Sequence, residues 1–211
     1  GHRPEHPAQF GGKSYGIVCV NGGLYMWVVP QPGPHLQECR IASSIDHGTT
    51  WRLADWALDF EAGVTIPTFL NFGRDNAGAR DHYVYSYLIQ PTWGPETAAE
   101  SEFGFAVHRP GQIYLARVPR GAILTQDRYE FFSGLDDRGQ PTWSANVADK
   151  RAVFRDDNGV GWNVSVSFNV DLNRYLLATE HTSTHAGKFG LFDAPAPWGP
   201  WTMVAYEDRW G

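Results

Sequence analysis

The stretch Ser44-Ile45-Asp46-His47-Gly48-Thr49-Thr50-Trp51 constrains the fold more than any other part of this chain. Gly48 permits a tight turn with a positive φ at no steric cost. Asp46 and Thr50 carry short polar side chains suited to hydrogen-bonding the backbone of that turn. Trp51 can then fold back and pack beneath it. These demands predict a structured turn between two antiparallel strands. They assign Asp46 to the turn rather than to chemistry.

The sequence around this turn reads as three successive four-stranded units. In the first, residues 14–20 and 24–30 are expected strands joined by the hairpin signal Asn21-Gly22-Gly23. Pro32-Gly33-Pro34 breaks the chain, 37–44 is a third strand, and Trp51 opens a fourth. In the second unit, 68–73, 83–90, 112–118 and 129–132 are expected strands, and 91–110 is a long loop of the kind that often binds ligands. The third unit places strands at 164–170, 174–179, 189–193 and 203–206. Its turn Pro197-Trp198-Gly199-Pro200-Trp201-Thr202 occupies the place that Ser44–Trp51 holds in the first. A short extra strand is expected near 152–154, and one helical turn near 96–102. Repeats of about 50 residues with four strands each are the mark of propeller blades. A β-sandwich or jelly roll built from the same strands is the alternative.

Composition agrees with an all-β chain: aromatic residues make up 14% of the 211, with 23 Gly and 14 Pro to supply turns. The formal net charge is −6 and there is no run of Lys or Arg, which argues against a nucleic-acid partner. No apolar segment approaches the roughly 18 residues of a membrane span, so no membrane partner is expected. The N-terminus does not read as a signal peptide; a chain from which a signal had been removed would be secreted or periplasmic. Cys19 and Cys39 fall on the first and third strands of one unit, roughly 9–10 Å apart by strand spacing. That is too far for a disulfide, so two free, largely buried thiols are expected. Neither cofactor nor metal is expected.

The motif Ser-x-Asp-x-Gly-x-Thr-Trp at 44–51 resembles the Asp box of sialidase-like β-propellers, where it joins the third and fourth strands of a blade opposite the usual active site. Further strings occur in order. They are Leu24-Tyr25-Met26-Trp27, Asp81-His82-Tyr83-Val84-Tyr85, Ile113-Tyr114-Leu115-Ala116-Arg117-Val118-Pro119 and Tyr129-Glu130-Phe131-Phe132-Ser133-Gly134. Arg174-Tyr175-Leu176-Leu177 and Asp193-Ala194-Pro195 with Trp198-Gly199-Pro200-Trp201 follow. Together they resemble a bacterial family, first defined as one of unknown function, with a five-bladed, glycosidase-like β-propeller fold. Some of its members are endo-D-arabinanases. The resemblance implies one propeller domain over 1–211, with three blades at about 14–62, 64–135 and 150–207, incomplete at both ends. It implies a carbohydrate-active protein acting on furanosidic polysaccharide such as arabinan, with poly- or oligosaccharide as partner. The alternative is a non-catalytic sugar-binding or assembly module, since the acidic segment of a first blade is absent. Three blades leave two blade faces uncovered, so self-association through the terminal blades, around 15–27 and 189–206, is expected.

Blade geometry then nominates site residues on the face opposite the Asp box. Hydrolysis of a glycoside usually needs two carboxylates. Glu180, at the end of a second strand, is the candidate catalytic acid, without a convincing second carboxylate; Glu96 lies in the long loop. Lys13, Tyr15, Asn71, Trp93, Arg109, Trp162, Asn163, His181 and His185 are the expected substrate-binding residues. Trp93 and Trp162 suit stacking on a sugar's C–H face. His181 and His185, four apart beside Glu180, suit loop hydrogen bonds or sugar contacts better than a metal, for which a third ligand is lacking. Asp136-Asp137 and Asp156-Asp157 read as solvated turns.

Overall fold

A computed structural model describes residues 11–31, 38–59, 62–90, 111–161, 163–181 and 187–210. Its first unit contains β1 (Gly11–Val20), β2 (Gly23–Gln31), β3 (Glu38–Ser44), β4 (Arg52–Leu53) and β5 (Leu58–Asp59). β1, β2, β3 and β4 pair in sequence order, and β5 also joins β3. The second unit has β6 (Thr65–Asn71), β7 (Tyr83–Ile89), β8 (Gly111–Pro119), β9 (Glu130–Leu135), β10 (Pro141–Ser144) and β11 (Ala152–Asp156). The third is β12 (Ser165–Asn169), β13 (Arg174–Glu180), β14 (Gly187–Ala194) and β15 (Thr202–Trp210). The sequence expectation of successive antiparallel meanders therefore holds. The second unit is larger than expected, because β10 adds to β9. The extra strand foreseen near 152–154 is β11, which pairs with β8.

The units are arranged as β-propeller blades are, with first strands side by side. β6 and β12 pair in parallel through Val166 with Leu70 and Ser167 with Asn71, which joins the second and third units into one sheet. β1 runs beside β6. A Cβ on Gly16 would lie 2.8 Å from Thr68 Oγ1 and 3.0 Å from the Phe69 nitrogen, so only glycine permits this approach. The same position falls in the bulge between Ser14 and Gly16, which re-aims β1.

The core lies between the units. Successive side chains on a strand face opposite ways. On β7, Val84 and Leu88 pack with Val18, Trp27 and Ile41 of the first unit. Tyr85, Tyr87 and Ile89 pack with Val166, Leu177 and Phe192 of the third. The middle unit is thus buried on both faces, and β7 is buried from Val84 to Ile89. Fully burying each such side chain contributes about 1.5–3 kcal/mol. Two polar side chains of the core are paired between units: Trp27 Nε1 donates to Ser86 Oγ at 3.1 Å, and Tyr87 donates to the Pro197 carbonyl at 2.8 Å. Trp198 meets Trp143 edge-on at 6.3 Å, again between units.

The 44–51 segment forms the turn its composition predicts. Asp46 Oδ1 accepts from Ser44 Oγ and from the Thr50 amide, both at 2.8 Å. Its Oδ2 accepts from Thr50 Oγ1 at 2.5 Å. The Gly48 amide donates to Ser44 Oγ, with Gly48 at φ 84. Trp51 Nε1 returns to the Gly48 carbonyl at 3.0 Å. The Thr50 hydroxyl and amide, then Ser44, hold the Asp46 carboxyl down at about 2. Cys19 and Cys39 are not joined in a disulfide, as expected; Cys39 is buried, but Cys19 is only partly so.

Candidate functional site

The first strands of the three units begin at one end of the molecule. β2, β7 and β13 finish at that same end, as their antiparallel registers require. Lys13 and Tyr15 on β1, Asn163 before β12 and Glu180 at the end of β13 therefore share one end. The 44–51 turn lies at the other.

Glu180 is fixed by local backbone. Its Oε1 accepts from the Asn163 side-chain amide at 2.9 Å and from the Asn163 backbone at 3.3 Å. Its carbonyl accepts from the Gly161 amide at 2.6 Å. A Cβ on Gly161 would overlap Glu180 Cγ, so glycine lets the two segments touch. With Oε1 engaged by two N–H donors, any proton that Glu180 delivers or takes moves on Oε2.

His181 follows Glu180 in the chain but points inward. Its side chain is fully buried. Nδ1 lies 2.6 Å from the Gly159 carbonyl and Nε2 lies 2.8 Å from Thr179 Oγ1. A carbonyl only accepts, so Nδ1 carries a hydrogen and donates it to Gly159. The ring stacks on Tyr206 at 5.0 Å. Gly190 leaves room for it, since a Cβ there would overlap Nε2. Of its two expected roles, His181 makes the hydrogen bonds; burial removes it from sugar contact. The Asp156 carboxylate stands 3.7 Å from Nδ1, with only 11% of its side chain exposed. The sequence reads Asp156 as a solvated turn residue. It does accept the Asn158 amide of that turn at 2.7 Å, yet it also belongs to the cluster behind Glu180. A turn signal such as Asp156-Asp157-Asn158-Gly159 masks that second role.

Asn71 requires a correction. It was expected beside the other site residues, but it ends β6 and so lies at the opposite end. There it accepts the Gly73 amide at 2.7 Å and shares a surface hollow with Gly22 and with His47 of the 44–51 turn. The reason is strand length: β6 begins at Thr65, three residues earlier than the sequence predicts, and stops at Asn71. Tyr15 stays with the site. Its ring packs against the apolar clusters on both sides of the middle unit. Its buried hydroxyl has no hydrogen-bond partner among the described residues. Burial, and then the nearby Cys39, push that phenol up to about 12. Trp93, Glu96, Arg109, Trp162 and His185, and the turn expected at 96–102, lie outside the described residues. Among the described residues no cluster of His, Cys, Asp and Glu is arranged to hold a metal. Among the described residues no helix is long and apolar enough to cross a membrane.

No protein-family model and no curated protein matches the chain. Solved structures do. Zg3597, a family 117 glycoside hydrolase produced by the marine bacterium Zobellia galactanivorans, is similar with a TM-score of 0.52 at 13% identity. The match covers 90% of this chain and 54% of that one, so the chain spans about half the length of the Zobellia enzyme. A GH43_1 enzyme from Xanthomonas citri complexed with xylotriose gives 0.38 at 13% identity, over 95% of this chain and 75% of that one. The exo-β-1,3-galactanase from Phanerochaete chrysosporium, with galactose, gives 0.41 at 15%, over 92% and 49%. The likeness to the Zobellia enzyme is one of fold, and the fold of this chain is a β-propeller.

Proposed function

We propose that this chain is a carbohydrate-active propeller of the glycoside hydrolase type, acting on furanosidic polysaccharide such as arabinan. The observation that carries the reading is Glu180. It is a half-exposed carboxylate at the blade end opposite the 44–51 turn, oriented through Oε1 by Asn163 and with Oε2 left for proton transfer. Lys13 and Tyr15 stand at the same end as candidate sugar contacts, Lys13 through an exposed side chain and Tyr15 through the part of its ring that is not buried. Trp93, Arg109, Trp162 and His185 complete the proposed binding set. The 44–51 hydrogen bonds support the Asp-box reading, and the three units at about 14–62, 64–135 and 150–207 are proposed as blades of a five-bladed domain. The test is reducing-sugar release from arabinan, xylan and galactan, with Glu180→Gln as the control. No release by the folded chain, or by a longer protein containing it, across all these polymers would end the enzymatic reading.

A second reading, a non-catalytic sugar-binding or assembly module, is favoured by one feature. The described hydrogen bonds of the Glu180 carboxylate come from Asn163, and among the described residues no second carboxylate pairs with it. Saturable oligosaccharide binding without turnover would select this reading.

A further inference from the structure

On the flank between the first and second units lies a cavity of about 550 Å³ that the proposed site does not use. That volume is in the range of small-molecule sites. Its aromatic wall is Trp27, Trp56 and Tyr129. Trp56 meets Trp27 edge-on at 6.0 Å and Tyr129 at 5.3 Å. Every polar hydrogen of this wall is already used. Trp27 donates to Ser86 Oγ, Trp56 Nε1 to the Leu124 carbonyl at 2.9 Å, and Tyr129 to the Ile123 carbonyl at 2.8 Å. The rings are therefore held in place and offer only apolar and π surface to an occupant. The rim is different in kind. Gln126 and Asp127 are exposed there, and their side chains make no hydrogen bond among the described residues. Asn146 stands beside them with its Oδ1 already accepting the Ala148 amide, which leaves its NH₂ outward.

We propose that this cavity is a second carbohydrate-binding site, separate from Glu180, which seats one face of a sugar ring on Trp56. The ligand must present an apolar face to fixed aromatic rings and hydroxyls to a carboxylate and two amides. A sugar ring has that division, with C–H groups on its faces and hydroxyls around its edge. Asp127 accepts from hydroxyls, Gln126 donates to and accepts from them, and Asn146 donates to them. Purely apolar ligands would leave the rim groups desolvated without partners, which is costly. A cation would find the single carboxylate of Asp127 but nothing for the two amides to do.

The test is nuclear magnetic resonance of the folded chain, following the Trp56 indole N–H, assigned with Trp56→Phe. Xylotriose, β-1,3-galactotriose and arabinan oligosaccharides are the sugar probes, and tetramethylammonium is the cation probe. A saturable shift of Trp56 with at least one sugar is expected. Ala145→Trp at the rim should weaken it at least tenfold, and the Gln126→Ala/Asp127→Ala pair at least fivefold, with the rest of the spectrum retained. Glu180→Gln should leave it within twofold, so failure of the Glu180 reading and failure of this one are separable. Shifts that survive both rim changes, a Trp56 resonance silent to every sugar, or a response to tetramethylammonium alone would overturn the proposal.

Discussion

His181 Nδ1 lies 2.6 Å from the carbonyl oxygen of Gly159, and this contact ties the end of β13 to the segment that enters the third unit. The same segment supplies the Gly161 amide to the Glu180 carbonyl. A buried imidazole thereby locates a half-exposed carboxylate on the preceding residue. His181→Ala should cost about 2–4 kcal/mol, from the lost packing and from leaving the Thr179 hydroxyl and Gly159 carbonyl without their partner. Denaturant unfolding measures it; a variant as stable as the parent would show that the ring carries no load.

Gly161→Ala tests the approach of the two segments directly. The added methyl overlaps Glu180 Cγ and lies 2.9 Å from the Glu180 carbonyl oxygen, so one segment must move. The melting temperature should fall and sugar turnover or binding at Glu180 should drop at least tenfold. The flank cavity should keep its ligand. Full activity in this variant would remove Glu180 from the reaction.

Tyr15→Phe should separate stability from function. Its hydroxyl is buried without a partner among the described residues, which typically costs about 1–3 kcal/mol. Removing it is expected to leave the melting temperature unchanged or higher and sugar binding intact, because the buried hydroxyl does not reach a ligand. The pH dependence has a defined sign. Burial raises the phenol from 10.0 to about 12, so its contribution is complete below pH 10 and is lost as pH rises through 12. Tyr15→Phe should flatten that alkaline limb in a thermal-unfolding series.

Asp46 titrates at the opposite extreme. Its folded value of about 2 lies below the ordinary 3.8, so its stabilisation is present above 3.8 and is lost as pH falls through 2. Asp46→Asn should lower the melting temperature by several degrees at neutral pH and remove the acid-limb change between those values. Turnover by the protein that remains folded should be unaffected. An inactive variant of unchanged stability would reassign Asp46 to chemistry.

Assembly through the terminal units is the last expectation. Met203 and Val204 on β15 are 61% and 57% exposed, and Ile17 on β1 is 52% exposed. Apolar side chains on sheet faces favour association when they form a patch. Light scattering at micromolar concentration should show species larger than 23.6 kDa, and Met203→Glu/Val204→Glu should shift them toward the monomer. A monomer without dye-accessible apolar surface would contradict it.

The sequence by itself determined what closes over a few residues. The 44–51 turn is legible because every bond in it joins residues at most four apart, and each residue type has one job there. The order and direction of the strands are legible because alternation along β7 or β13 and the hairpin signals at 21–23 and 171–173 are local patterns. The tertiary structure alone decided the rest. Whether Asn71 faces the site or the opposite end depends on where β6 stops, which no side-chain period marks. His181 is buried because Gly159, Thr179, Gly190 and Tyr206 converge on it from separate elements, and a polar residue at a strand end carries no sign of that. The flank cavity joins Trp27, Trp56 and Tyr129 from two units, and only packing between sheets brings such distant positions to one wall. Local hydrogen bonding is written in adjacent residues; burial and site geometry are set by contacts between residues far apart in the chain.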